Sequence, residues 1–223
     1  MKTVCILTAG MGSRMGKYSD IVNKSLLPLK NKAIISHIIE FFGDNSDFVI
    51  AVGFKSQQVK DYLKIAHPKS KFTFVKITDF NSVNSGPGKS LYSCKKFLNR
   101  SFFFISCDTI INDSFENSFI NRDFVGTLKV PKKYHKNYCN FSIKNNLVTN
   151  VYNKTDIAGK NKPIVSFVGY SYIKDYSNFW KSYKTHSSLN KNFEIFHGYT
   201  EIINKKKLFA LNTKWIDVGD YEL

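Results

Sequence analysis

Cysteine is sparse in this chain and scattered: Cys5, Cys94, Cys107 and Cys139 form no C-x-x-C pair. That excludes a disulfide framework and a thiolate zinc site, and suits small buried side chains in a reducing cytoplasm. Arginine is scarcer, with only Arg14, Arg100 and Arg122, although 33 basic residues against 17 acidic ones leave a net charge of +16. The lysines are spread out, with a single triplet at Lys205-Lys206-Lys207. They read as solvated charges that steer anionic substrates rather than as a nucleic-acid stripe, and no nucleic-acid partner is expected. No window approaches the roughly 18 apolar residues of a membrane span, so no membrane partner is expected either. The five histidines (37, 67, 135, 186, 197) form no cluster that would mark a nucleophilic triad. What is present, 43% hydrophobic and 15% aromatic residues over 223 positions, is enough for a sizeable core and excludes disorder.

Apolar periodicity divides the chain into two halves. Strands are predicted at Lys2–Leu7, Asp47–Val52, Lys71–Ile77 and Ser101–Ser106, and helices at Lys32–Phe42 (stopped by Gly43), Gln57–Ile65 and Leu91–Leu98. The near-continuous Phe and Ile run before Ser106 suits a strand covered on both faces, which gives β-α-β-α-β-α-β around a parallel sheet. Beyond it, shorter strands are predicted at Phe124–Pro131, Phe141–Ile143, Leu147–Tyr152, Ile164–Ile173 and Leu208–Leu211, with a hairpin turn at Asn145-Asn146. Helices are predicted at Asn178–Tyr183 and Phe193–Asn204. With no linker or repeat, one domain over 1–223 is expected, with 1–110 as a nucleotide half and 111–223 as an acceptor half.

Directly after the first strand comes Leu7-Thr8-Ala9-Gly10-Met11-Gly12-Ser13-Arg14-Met15-Gly16, and then Lys24-Ser25-Leu26-Leu27-Pro28. Such a loop brings backbone amides close to a polyphosphate, and Arg14 and Lys24 neutralise charge that the amides cannot. The glycine spacing G-x-G-x-x-x-G is one residue too long for the dinucleotide fingerprint. A second glycine-rich stretch, Asn84-Ser85-Gly86-Pro87-Gly88-Lys89-Ser90, imitates a Walker A loop, but Val83 stands where that motif needs its first glycine. Ser106-Cys107-Asp108 ends the Phe-rich strand at the edge where parallel sheets hold ligands. Asp108 there is either a Mg²⁺ ligand or an N-cap; beside the opening loop the metal reading is preferred.

L-x-A-G-x-G-S-R-M-G followed by K-x-L-L-P resembles the N-terminal signature of the sugar-nucleotidyltransferase-like (NTP-transferase) superfamily. The resemblance implies a Rossmann-like three-layer α/β/α fold with a mostly parallel, mixed central sheet. It also implies transfer of a nucleotidyl group from an NTP to a small phosphorylated acceptor, with Mg²⁺ or Mn²⁺ as cofactor and pyrophosphate as product. Carried onto this chain, the nucleotide would lie against Leu7, Ala9, Gly10, Gly12, Ser13, Arg14, Met15 and Gly16. Arg14 would hold the β- and γ-phosphates, and Lys24 would bridge the α-phosphate and the acceptor. Ser85, Gly86 and Ser90 occupy the place of the family's nucleobase loop. The lack of a Gln-x-x-Gly pattern there leans towards the small CTP-using members of bacterial surface-polysaccharide pathways. Trp215-Ile216-Asp217-Val218-Gly219 resembles the family's late W-x-D-x-G element, so Asp217 is the second expected metal ligand and Asp220 its competitor.

The acceptor site is expected near Lys129, Tyr138, Lys154 and Glu194, with Asn140 and Tyr170 as further hydrogen-bonding groups. The acceptor so implied is L-glutamine phosphate, with phosphocholine, or a sugar 1-phosphate with UTP or dTTP, as alternatives. A homodimer and a natural chain continuing past Leu223 are compatible with the resemblance. Two readings from other classes stand beside it: a non-catalytic nucleotide-binding regulator and a basic nucleic-acid-binding protein.

Overall fold

The computed structural model describes residues 1–82, 85–111, 120–153, 163–190 and 193–218, without the side chains of 189, 190 and 217. The strands are β1 (Thr3–Leu7), β2 (Pro28–Leu29), β3 (Lys32–Ala33), β4 (Asp47–Val52), β5 (Lys71–Lys76), β6 (Phe102–Ser106), β7 (Thr109–Ile111), β8 (Phe124–Leu128), β9 (Asn140–Lys144), β10 (Leu147–Tyr152), β11 (Ile164–Ile173), β12 (Phe209–Asn212) and β13 (Trp215–Asp217). The α-helices are α1 (Lys17–Ile21), α2 (Ile34–Phe42), α3 (Ser56–Ala66), α4 (Pro87–Ser93), α5 (Tyr176–Asn190) and α6 (Thr200–Asn204). A nine-stranded sheet runs in the order β5-β4-β1-β6-β11-β8-β12-β10-β9. Its first four strands are parallel, as the apolar runs predict. From β11 onward most pairings are antiparallel, so the Rossmann-like sheet is mixed.

Alternation within the apolar strands builds the three layers. Cys5, Leu7, Phe102 and Phe104 point to one face, where Leu91 of α4 and Phe179, Trp180 and Tyr183 of α5 cover them. Val4, Ile6, Phe103 and Ile105 point to the other, under Ile34, Ile35, Ile38 and Ile39 of α2 and Val59 and Leu63 of α3. Each fully buried side chain of this size contributes about 1.5–3 kcal/mol, so β6 anchors both layers.

Several predicted elements shift: the helix expected at Asn178–Tyr183 is longer, spanning Tyr176–Asn190, and the strand expected to reach Pro131 ends at Leu128. The helix expected from Lys32 starts at Ile34, because Lys30 (φ 57°) turns Lys32–Ala33 back against Pro28–Leu29 as a small hairpin. The helix expected at Leu91–Leu98 begins at Pro87, whose fixed φ and missing N–H suit a first helical turn, and is followed by a 3-10 turn at Lys95–Phe97. The stretch expected as one helix from Phe193 divides into a 3-10 turn at Ile195–Gly198 and α6. The Asn145-Asn146 turn is present, with φ of 51° and 60°.

Candidate functional site

The glycine-rich loop leaves β1 at the carboxyl edge of the sheet. Thr8 ties its start to β4, its N–H and its hydroxyl both donating to the Ala51 carbonyl at 2.9 and 2.8 Å. Gly12 takes a left-handed conformation (φ 68°), and a Cβ there would lie 3.0 Å from Lys24 Cβ. The loop and the lysine stem therefore touch because this position is glycine. Asn23, buried at 1% exposure, holds Lys24 in place. Its Nδ2 donates to the carbonyls of Thr8 (3.0 Å) and Phe54 (2.7 Å), while its Oδ1 accepts from the N–H (3.0 Å) and hydroxyl (2.8 Å) of Ser25. Lys24 Nζ then meets Asp108 Oδ2 at 2.8 Å, with side-chain exposures of 9% and 25%.

Two cavities meet at the Asp108 side of this ion pair, while Lys24 lines only the first. One, of about 520 Å³, is lined by Leu7, Ala9 to Arg14 and Lys24, and on its other side by Ile77, Asp79, Phe80, Ser85, Gly86, Lys89 and Ser90. The second, of about 630 Å³, is lined by Tyr138, Phe167, Gly169, Glu194, Tyr199 and Trp215 among others. Arg14, Ser85, Gly86, Pro87, Ser106 and Asp108 line both. The second cavity owes its shape to a bulge in β11, whose register against β8 shifts between Phe167 and Ser171. Gly169 sits in it at φ 77°, where a Cβ would come within 2.7 Å of Thr109 Oγ1 and 3.0 Å of Ser106 Oγ. Glycine alone lets the strand pass so close to the seam.

Most of the expected nucleotide residues come together here, including Ser13, Ser85, Gly86 and Ser90. Met15 and Gly16 do not line the cavity: Met15 is buried in the α2-side core, where it anchors the loop from beneath. Of the residues expected around an acceptor, Tyr138 and Glu194 line the second cavity, Tyr138 edge-on to Trp215 at 5.9 Å. Lys129 lines neither cavity and is exposed, because β8 ends one residue earlier at Leu128. Tyr170 is a core residue stacked on Phe103. Asn140 is scaffold: its Nδ2 donates to the Tyr138 carbonyl (2.6 Å) and the His135 carbonyl (2.8 Å), and its Oδ1 accepts from Ser166 (2.7 Å). It thereby fixes the backbone that carries Tyr138.

Lys154 and Asp220 lie outside the described residues, and of Asp217 only the backbone is described. That backbone lies opposite Thr109 in the β7–β13 pair, and the next N–H, of Val218, donates to the Asp108 carbonyl at 3.1 Å. Among the described residues no group of three or more His, Cys, Asp or Glu could hold a metal. Burial pushes the Cys107 thiol up to about 12, with the Asp108 carboxylate adding to it, so this cysteine stays a neutral wall residue.

Four contributors escaped the sequence: Asn23, Gly169, Trp215 as a lining side chain, and an Asp79–Lys89 ion pair on the wall of the first cavity. Lys89 beside it holds the Asp79 carboxyl below the usual carboxylate range. The Asn-Lys-Ser order before L-L-P, with asparagine as a capping residue, was a usable signal for Asn23. Gly169 offered none, since its role depends on a strand distant in sequence.

Residues 4–121, just over half the chain and all of the first cavity's lining, match the MobA-like NTP transferase domain. The chain belongs to that family. It is similar to the bifunctional protein GlmU of Methanocaldococcus jannaschii, 32% identical over 112 residues, which are 50% of this chain and 26% of GlmU. It is also similar to the choline-phosphate cytidylyltransferase of Streptococcus pneumoniae, 29% identical over 119 residues, 52% of this chain and 49% of that protein. The matched stretches thus span about a quarter and about half of these relatives' lengths. A crystal structure of UDP-glucose pyrophosphorylase with UDP-glucose superposes over 100% of this chain and 95% of its own, with a TM-score of 0.78 at 14% identity, a likeness of fold. No helix among the described residues is long and apolar enough to cross a membrane.

Proposed function

We propose that the protein is a nucleotidyltransferase that moves CMP from CTP to a small phosphorylated acceptor and releases pyrophosphate. The observation that carries this reading is the Lys24–Asp108 pair, with Lys24 on the cavity walled by the glycine-rich loop and Asp108, like Arg14, on the seam with the second cavity. The amides of Gly10 to Arg14 and the Arg14 guanidinium take the β- and γ-phosphates and stabilise the departing pyrophosphate. Lys24, fixed by Asn23, draws the α-phosphate and the acceptor phosphate together. An acceptor phosphate oxygen then bonds to the α-phosphorus as the bond from the α-phosphorus to the bridging oxygen breaks. Here the protein positions and neutralises charge, and no covalent intermediate is needed.

Asp108 offers a hard oxygen donor, and the β7–β13 pairing brings the Asp217 backbone beside it, which suits Mg²⁺ or Mn²⁺. When bound, that ion would neutralise phosphate charge at the seam. CTP is favoured by the Ser85-x-x-x-x-Ser90 form of the loop and by the cytidylyltransferase among the relatives. For the acceptor we place L-glutamine phosphate first, in a cytoplasmic step of capsule phosphoramidate synthesis. Phosphocholine is the second reading, favoured by Glu194 among the aromatic walls of the second cavity.

The test is pyrophosphate release from four NTPs, each paired with L-glutamine phosphate, phosphocholine and sugar 1-phosphates, with Mg²⁺ present. Turnover with CTP and either L-glutamine phosphate or phosphocholine is expected. Turnover with UTP or dTTP and a sugar 1-phosphate would replace the substrate assignment, and no turnover with any pair would remove the enzymatic one.

A further inference from the structure

We infer that Asp79 and Lys89 read the nucleobase and set the preference for cytosine over uracil. The inference rests on the nucleotidyltransferase reading of the first cavity and deepens it. That cavity has two chemically different walls. One carries the loop amides, Arg14 and Lys24, the natural seat of a polyphosphate. The base must therefore lie against the other, where Ile77, Phe80 and Pro87 offer apolar contact for a ring. There Asp79 and Lys89 form an ion pair, with side chains 41% and 30% exposed. The pair is open to the cavity and available to a ligand.

Both groups stand on fixed backbone. Ser82 donates its N–H (3.1 Å) and its hydroxyl (2.9 Å) to the Asp79 carbonyl, closing the turn after β5. Lys89 lies in the first turn of α4, which the Ser90 N–H to Gly86 carbonyl bond (3.1 Å) secures. An ionised carboxylate only accepts hydrogen bonds, and an ammonium only donates them. Side by side they complement an amino donor next to a ring-nitrogen acceptor, which cytosine presents as its N4 amine and N3. Uracil held in the same register presents O4 to the carboxylate and N3–H to the ammonium, two repulsive contacts. Sliding uracil by one position would restore a match. The register is set, however, by phosphates anchored at the far wall, so the pair discriminates.

The experiment measures binding of CTP and of UTP to the full chain by calorimetry without acceptor, for wild type, Asp79→Asn and Lys89→Met. Wild type is expected to prefer CTP. Each variant is expected to lower the CTP-to-UTP affinity ratio by about tenfold, the size of one well-made base contact. Because the pair is exposed, thermal melts should show both variants folded. A wild type that binds neither nucleotide would sink the nucleotidyltransferase reading. A wild type that prefers CTP, with variants that keep its ratio or weaken both nucleotides equally, would overturn the base-reading role and leave the pair as a pin between the loop and α4. A wild type that prefers UTP would overturn the cytosine assignment.

Discussion

Replacing Lys24 by methionine removes the Nζ charge and keeps a stem of similar length against Gly12. The structural cost comes from Asp108, which loses its partner at 2.8 Å while its side chain is 25% exposed. Stranding a fully buried partner costs about 3–5 kcal/mol, whereas exposed pairs are worth about 1 kcal/mol or less. Partial exposure places this pair between them, at about 1–2 kcal/mol. At roughly 2–4 °C per kcal/mol for a chain of this size, the melting temperature should fall by a few degrees, leaving the variant folded at assay temperature. The catalytic cost is larger: losing one preorganised donor at developing phosphoryl charge costs about 10²–10³ in kcat. The assay is coupled pyrophosphate release at saturating CTP and acceptor, read beside a thermal melt of the same sample. Lys24→Arg, which restores charge with a different shape, should recover part of the loss. A Lys24→Met enzyme within about threefold of wild-type kcat would refute the role given to Lys24.

Two glycine substitutions should separate ligand space from protein space. Gly10→Ala places a Cβ with no atom within 4 Å, so stability should stay within about 0.5 kcal/mol while CTP affinity falls about tenfold; calorimetry and a melt read the two effects. Gly88→Ala drives a Cβ to 1.8 Å from the Phe193 carbonyl oxygen and should cost about 3 kcal/mol, lowering the melting temperature by about 6–12 °C. His197, buried at 4% exposure, has its pKa lowered to about 4, chiefly by burial and secondarily by His186. Its folded pKa lies below the unfolded value near 6.5, so this contribution to stability is present above about pH 6.5 and is lost as pH falls towards about 4. The loss is at most about 3 kcal/mol, and His197→Gln should flatten the fall in melting temperature between about pH 7 and pH 5.

The first half of the chain was legible because its signals are local. The apolar runs of β1, β4 and β6 are strands covered on both faces, β5 alternates as an edge strand, and the glycine-rich loop follows β1 without interruption. Lys24 and Asp108 could be named from sequence, but their contact could not, since it joins positions 84 residues apart. The second cavity is assembled from distant pieces: the β7–β13 pair, the bulge at Gly169 and the 3-10 turn after Glu194. No short-range pattern encodes those meetings, and Lys129, expected near the acceptor, lines neither cavity. Asp79 and Lys89 lie ten residues apart across a turn, and Lys89 was hidden within a false Walker A pattern.

In the proposed reaction, chemistry occurs at the α-phosphorus, at the seam between the two cavities. CTP labelled in turn at the α- and γ-phosphates, incubated with Mg²⁺ and the preferred acceptor, tests it directly. The α-label should appear in a CDP-linked product and the γ-label only in pyrophosphate. A γ-label on the acceptor, or an α-label left in free CMP, would contradict it.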